Sequence, residues 1–400
     1  MKLKLSNRAI LFSTVVSFPF TQFCIDKNSV AGDLSDAITH GVPNVDVRLR
    51  SETVSQQGVD KNANAITART RIAYKSGSYM GFGGFFEFEN TTALADKYAF
   101  PGSPNAGKYP VVADPKITRV NQAYLRYKYK DNLTLTGGRQ RIILDGARFV
   151  GNVGWRQNEQ TFDGALLKFK PLSMLTTTYA YLDQVNDIFG NQVKMKSHLL
   201  NLNFKPVKNI KLAAYGYFLD YDTGADSKTL GLSIDGSWPA PGMWKLLYRA
   251  EYAQMGDYAD NKSGKTPNYA NLELGGKINK TIAKIGYERL SGDGTASFQT
   301  PLATKHKFNG WADKFLATPA NGLVDTYLTL GSVVKKIKLL GTFHLFNADH
   351  TSTKYGKELD LLAARKIAKN YIVGLKYANY MADKFATNTA KYWVWGEMKF

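Results

Sequence analysis

From residue 41 onward, apolar and polar side chains alternate with a period of two, and the rhythm recurs in segments of about ten residues. Val45, Val47 and Leu49 interleave with Asp46, Arg48 and Arg50. Ala123, Leu125, Tyr127 and Tyr129 interleave with Gln122, Tyr124, Arg126 and Lys128, and the stretch from Trp244 to Tyr252 repeats the pattern. Such a strand offers one face to an apolar medium and the other to a polar one. About ten residues is also the length a tilted strand needs to cross a bilayer. No apolar run of roughly eighteen or more residues follows the N-terminus, which excludes spanning helices. The expected fold is all-β, a transmembrane antiparallel β-barrel. A soluble sandwich or propeller would leave the aromatic-rich outer faces without a role.

Eighteen segments fit the pattern, and bacterial barrels favour even counts. They fall near 44–55, 65–75, 79–90, 119–129, 132–141, 160–170, 172–183, 196–205 and 210–221. The rest fall near 227–236, 243–254, 268–278, 281–290, 323–332, 336–347, 357–367, 371–381 and 391–400. Short turns at Ser76-Gly77-Ser78, Asp131, Pro171, Pro206 to Asn209, Asn279-Lys280 and Lys369-Asn370 alternate with loops 91–118, 142–159, 184–195, 255–267 and 291–322. Short periplasmic turns and long external loops are the usual asymmetry, which puts both ends of the barrel on the periplasmic side. Asp131 and Pro171 fit this alternation only with a shifted boundary. The closing strand ends in Phe400 and is similar to the C-terminal signal of outer-membrane proteins, which implies the barrel-assembly machinery as a partner.

Residues 1–31 read as a secretory signal and 32–400 as the barrel. Lys2, Lys4 and Arg8 precede a mostly apolar stretch from Ala9 to Phe23, and Ser29-Val30-Ala31 supplies small residues for cleavage before Gly32. Cys24, the sole cysteine, follows the bulky Phe23 where lipid attachment takes a small residue. The expected destination is the outer membrane of a Gram-negative bacterium, with its lipid and lipopolysaccharide as surroundings and a monomer as the assembly. The full chain carries a net +19; residues 1–31 hold Lys2, Lys4, Arg8 and Lys27 against Asp26, a net of +3, which leaves +16. A soluble chain this basic would suggest nucleic acid, but the export signal and the lack of any nucleic-acid motif exclude it.

A cation at the lipid midplane costs roughly 2–4 kcal/mol, so strand charges are expected to face the lumen. Arg48, Arg50, Arg69, Arg71, Arg126, Lys128, Lys245, Arg249, Lys277, Lys284, Lys338 and Lys376 are the lumenal candidates. Arg139 and Arg141 close the fifth strand, where Gly137-Gly138 is expected to form a bulge that re-aims them. Basic rings favour anions in a pore. Alternatively, Glu87 and Glu89 form cross-strand ion pairs with the arginines on either side and only brace the wall. Lys130, Lys170, Lys205, Lys208, Lys280 and Lys369 fall in or beside turns.

Gly138-Arg139-Gln140-Arg141, then Gly146-Ala147-Arg148-Phe149-Val150-Gly151-Asn152-Val153-Gly154-Trp155-Arg156 and Thr161-Phe162-Asp163-Gly164, resemble the loop between strands five and six of the alginate export family. His306-Lys307-Phe308-Asn309-Gly310-Trp311-Ala312-Asp313-Lys314-Phe315, continuing from Thr318 to Asp325, resembles that family's long loop before strand fourteen. The similarity runs from about residue 45 to the C-terminus. It implies a monomeric eighteen-stranded barrel with an arginine-rich constriction for anionic polyuronate. Arg139, Arg141, Arg148 and Arg156 match the constriction or loop basic positions, with loop folding as the alternative, in which Arg148 or Arg156 ties down Asp145, Glu159 or Asp163. Trp155 and Trp311 either stack on sugar rings or anchor an infolded loop. The short turn at Lys369-Asn370 departs from the exporter proper, which has a long gating turn there.

The function expected is an outer-membrane pore passing anionic solutes by diffusion, with a weakly selective porin as the alternative. Catalysis is not expected: His40, His198, His306, His344 and His350 show neither triad partners nor metal-site spacing, and no cofactor or metal is implied.

Overall fold

A computed structural model of the chain describes residues 32–240 and 244–400; the signal-peptide reading lies outside the described residues. A short helix, α1 (Leu34–Thr39), is capped by the Asp33 side chain and leads into the barrel. The first nine strands are β1 (Val42–Gln56), β2 (Ala63–Lys75), β3 (Phe82–Lys97), β4 (Ile117–Tyr129), β5 (Leu133–Gln140), β6 (Thr161–Leu172), β7 (Leu175–Asn186), β8 (Gln192–Val207) and β9 (Ile210–Leu219). The next four are β10 (Ser227–Pro239), β11 (Trp244–Gly256), β12 (Asn268–Ile278) and β13 (Thr281–Leu290). The last five are β14 (Leu323–Val334), β15 (Ile337–Asn347), β16 (Lys354–Ala368), β17 (Tyr371–Ala382) and β18 (Thr389–Lys399).

Every strand pairs antiparallel with its chain neighbours, and β1 also pairs with β18, so the eighteen-stranded sheet closes. Phe400 continues the seam by exchanging backbone hydrogen bonds with Val45. Closure leaves no strand edge to satisfy in hydrocarbon, where an unpaired backbone group costs several kcal/mol. The alternation sets which face is which. On β4, Leu125 is 70% exposed and belongs to the outer face, while Asn121 and Gln122 are buried in the interior. Phe204, Trp238, Trp244, Tyr371 and Phe400 crowd the outer face near the end where the chain enters and leaves the barrel. That is the position of an interfacial aromatic girdle.

Asp131 and Pro171 need no exception to the loop alternation. Pro171 is inside β6, whose turn into β7 lies two residues later at Ser173-Met174. Several strands also outrun the sequence reading at the opposite end: β3 continues to Lys97 and β8 begins at Gln192. These extensions, 91–97 on β3 and 192–195 on β8, mix polar and apolar residues, so backbone pairing continues past the clearest alternation. Substituting an outward, mid-strand residue tests the facing directly. Leu274→Arg, on β12 and 54% exposed, is expected to destabilise the barrel by roughly 2–4 kcal/mol, measured by denaturant unfolding in lipid vesicles.

Candidate pore constriction

The cations on the lumenal wall divide into two populations. On β1–β4 and β18, arginines interlock with carboxylates. Arg69 bonds Asp46 at 2.6 Å and Glu397 at 3.2 Å, and Arg71 bonds Glu89 at 2.6 Å through Nε. Arg119 reaches Glu89 at 3.1 Å and also the backbone of Asp187. These arrays are cross-strand ladders across β1–β4 and β18. Between β4 and β8 the balance changes. Arg126, Lys128, Lys168 and Lys205 share the lumenal face with Thr134, Thr136, Asn201 and Asn203. Among the described residues Arg126, Lys168 and Lys205 make no ion pair with a carboxylate, while Lys128 meets the fully exposed Asp131 at 3.0 Å. Lys168 has Lys170, Arg126 and Lys205 as like-charged neighbours.

Loops 141–160 and 291–322 fold into the barrel and meet inside it. Residues Phe149, Phe298, Leu302, Trp311 and Phe315 from these loops form one apolar core with Tyr215, Tyr269, Phe346, Tyr380 and Trp393 of the wall. Burying such rings is what holds an infolded loop against solvent. Polar anchors set its position. Arg48 donates to the carbonyls of Trp155 at 2.8 Å and Gly154 at 3.2 Å, while Arg50 binds Asp114 and the Trp155 carbonyl. Arg156 joins Glu52 at 2.9 Å to Asp313 at 2.7 Å, which ties the two loops to β1. Across the lumen, Arg148 pairs with Glu288 at 2.8 Å and Lys211 with Asp145 at 2.6 Å.

A lysine cage fastens the second loop. Lys376 Nζ lies 3.8 Å from the Trp311 ring centre and 4.2 Å from that of Trp155. It also lies 2.7 Å from His306 Nε2. His306 Nδ1 is 2.6 Å from Asp313, and Lys391 binds Asp313 at 2.7 Å. Burial would raise the Asp313 carboxyl, but His306, Lys391 and Arg156 outweigh it and hold it well below the carboxylate range. Burial drives His306 well below its ordinary value, so its ring is neutral at pH 7 and Nε2 accepts from the Lys376 ammonium. Within the same loop, burial lowers Lys307 to about 7 and Lys314 to about 8.

A family model for alginate export matches residues 47–289. The chain belongs to the alginate export family. No curated protein sequence matches it. Among solved structures it is similar to OccK9 (OpdG) of Pseudomonas aeruginosa, at 13% identity and a TM-score of 0.73 over 91% of this chain and 100% of that one. OccAB2 of Acinetobacter baumannii aligns at 16% identity and a TM-score of 0.71, covering 91% and 99% of the two chains. OpdK of P. aeruginosa, solved with vanillate, aligns at 11% identity and 0.70, covering 90% and 98%. The shared fold is that of outer-membrane porins, and the chain is an integral outer-membrane β-barrel of the alginate export family. The matched stretch stops at 289, so the loop motif from His306 to Asp325 lies beyond it.

The family motif around β5 does not act as one unit. Gly138 and Gly164 are cross-strand partners with φ of 120° and 155°. A Cβ on either would run into a backbone carbonyl, that of Ala123 or Tyr181, so only glycine fits. Register runs unbroken through Gly138, and the shift falls instead between Asp163 and Gly164. The expected bulge at Gly137-Gly138 is therefore absent, and Arg139 keeps the outward face it shares with Ala123 and Leu125. There it forms a two-pronged pair with Asp163 at 2.7 and 2.8 Å. Arg141, one residue past the strand, turns to Glu159 and Glu87 inside the barrel and stays 31% exposed.

The remaining candidates all take the lumenal face, with differing surroundings. Arg249 is 2.5 Å from Glu251 and Lys284 is 3.5 Å from Glu273. Lys245 and Lys277 stand directly opposite each other on β11 and β12, and Lys338 is on β15. Trp155 and Trp311 serve the lysine cage, and Trp311 is only 5% exposed. Arg148 and Arg156 bond Glu288, Glu52 and Asp313 instead of Asp145, Glu159 or Asp163.

Arg119 escaped the sequence reading because β4 has a register shift opposite Glu87/Phe88. Alternation counted back from Arg126 puts it on the wrong face. Lys168 was obscured by the adjacent Leu166 and Leu167, which blur the phase, and Lys205 was assigned to a turn.

Arg156→Ala would leave Glu52 and Asp313 buried without their shared partner. It is expected to cost the infolded loops about 3–5 kcal/mol, seen as protease cleavage within 141–160 and 291–322 while the barrel still resists unfolding in detergent. The lysine shifts predict a pH dependence. An unfolded lysine takes up a proton near its ordinary value of 10.5, whereas folded Lys307 does so at about 7. Its contribution is present above 10.5 and lost as pH falls towards 7. Thermal melts should therefore rise in midpoint from pH 7 to pH 10, and Lys307→Met should flatten that rise.

Proposed function

We propose that the barrel is a passive outer-membrane pore favouring anionic solutes, with acidic oligosaccharides such as polyuronates as the solute class. The observation that carries this reading is the wall between β4 and β8, where Arg126, Lys168 and Lys205 face the lumen and have no carboxylate partner among the described residues. A confined channel with one sign of fixed charge concentrates ions of the other sign. The carboxylates of a uronate chain suit a row of Arg and Lys donors. The membership in the alginate export family supports the same class of solute. The similar OpdK barrel was solved with vanillate, itself a carboxylate.

A weakly selective diffusion pore is the second reading. It draws on the ladders of β1–β4 and β18 and on the loop anchors, where Arg48, Arg50, Arg69, Arg71 and Arg156 are each compensated by a carboxylate or held by loop carbonyls. Reversal potentials in planar bilayers under a KCl gradient separate the two. Anion preference is expected, and the Arg126→Gln, Lys168→Gln, Lys205→Gln triple variant should move the reversal potential towards cations. Arg139→Gln, on the outer face, should leave it unchanged. A reversal potential near zero in the unaltered protein favours the second reading, and cation preference sinks the first. Assembly is proposed to depend on Phe400, whose ring meets Tyr371 edge-on at 5.9 Å beside the seam.

A further inference from the structure

The lipid-facing side of β8–β11 carries a feature that a pore wall does not require. Midway along β9 two successive outward positions are small, Ala214 and Gly216, between the outward Leu212 and Phe218. Register places Gly216 between Leu200 and Leu230, and Ala214 between Leu202 and Leu232. Two rows of leucine flanking a row without side-chain bulk make a groove running along the strand. Its volume is about 450 Å³ and its lining is almost wholly apolar. Leu230 and Leu232 are exposed to the membrane at 51% and 66%.

The extracellular mouth of this groove is basic. His198 and Lys228 flank Phe218 in one outward row across β8, β9 and β10. Lys196 stands two residues above His198, exposed, and its backbone N–H donates to the Asp220 carbonyl. Lys194 is the next outward residue and pairs with Asp183 at 3.1 Å. Among the described residues neither Lys196 nor Lys228 makes an ion pair with a carboxylate, although Asp220 and Asp222 lie close in sequence at the end of β9. Height fixes what they meet. Phe204 and Trp238 belong to the periplasmic girdle, and counting about ten residues up each strand, the span of a bilayer, reaches Lys194 on β8 and Lys228 on β10. Lysines at that level sit among the outer-leaflet head groups, where an outward charge costs little and an anionic partner is within reach.

The geometry points to a binding site for a phosphorylated glycolipid of the outer leaflet, with its phosphates on Lys196 and Lys228 and an acyl chain in the Gly216 groove. The apolar groove and the cations at its mouth match one amphipathic molecule better than they match two separate ligands. A phosphate could also be presented by a phospholipid, so the test uses both sources. The intact barrel in detergent is titrated with lipid A, with dephosphorylated lipid A and with phosphatidylglycerol, and bound lipid is counted by native mass spectrometry. Lipid A is expected to bind in preference to the other two. The Lys196→Gln, Lys228→Gln double variant should weaken it about thirtyfold, taking about a kilocalorie per lysine near the surface.

Gly216→Leu should reduce lipid A binding through the groove alone, with the charges intact. The heat-dependent gel shift of the folded barrel verifies that each variant has assembled. Undiminished lipid A binding by the correctly folded double variant overturns the proposal. So does equal retention of phosphatidylglycerol or of dephosphorylated lipid A. Unchanged binding by Gly216→Leu removes the groove from the site and overturns the amphipathic match.

Discussion

Hydrogen-bond closure in a medium without water governs everything else in this protein. Each strand must pair on both sides, and the seam between β1 and β18, extended by Phe400 and Val45, is where that requirement is completed. Once the sheet is closed it has only an outside and an inside. The apolar side chains are committed to lipid, and nearly all strand charge is committed to a lumen of limited width. Charge of one sign cannot accumulate there without cost, and the chain answers differently in different places. On β1–β3 and β18 it interleaves Asp46, Glu87, Glu89 and Glu397 with the arginines. On β4–β8 it leaves Arg126, Lys168 and Lys205 without a carboxylate among the described residues.

The infolded loops follow from the same confinement. Their arginines are long enough to cross the lumen, and Arg148 spans 140 residues of sequence to meet Glu288. Neutral anchors share the task, since Arg48 and Arg50 hold the loop by its carbonyls. The cage around Lys376 sets its Nζ against aromatic faces and a neutral His306, which replace its water in an apolar setting. An arginine-rich motif in such a loop therefore does two kinds of work. Arg156 spends its fork on Glu52 and Asp313, while Arg141 gives its fork to Glu159 yet stays 31% exposed.

The strand count and orientation were legible in the sequence because lipid enforces alternation residue by residue over ten-residue stretches. The face of Arg48, Arg69 or Arg126 could be read in the same way. Legibility failed wherever the phase slips. The shift opposite Glu87/Phe88 hides Arg119, and the unbroken register at Gly138 sends Arg139 outward although a bulge was expected. The partners of Arg148 and Arg156 were also beyond reach. They lie on β13, on β1 and in the second loop, and no local pattern encodes a contact across the lumen.

Net charge illustrates why composition alone misleads for a barrel. An excess of +16 after residue 31 resembles a polyanion-binding surface when read as a total. Placed on the fold, much of it cancels in ladders, some rests in periplasmic turns such as Lys335-Lys336 and Lys369, and some faces lipid at head-group height on β8 and β10. Only the remainder acts on a solute in transit, and it is concentrated on one arc of the wall. On the proposed reading, a one-sided arc would attract a flexible polyanion along its length without closing a ring around it, distributing the attraction over several weak contacts. Passage through a pore needs that distribution, because a site strong enough to hold its solute would also block it.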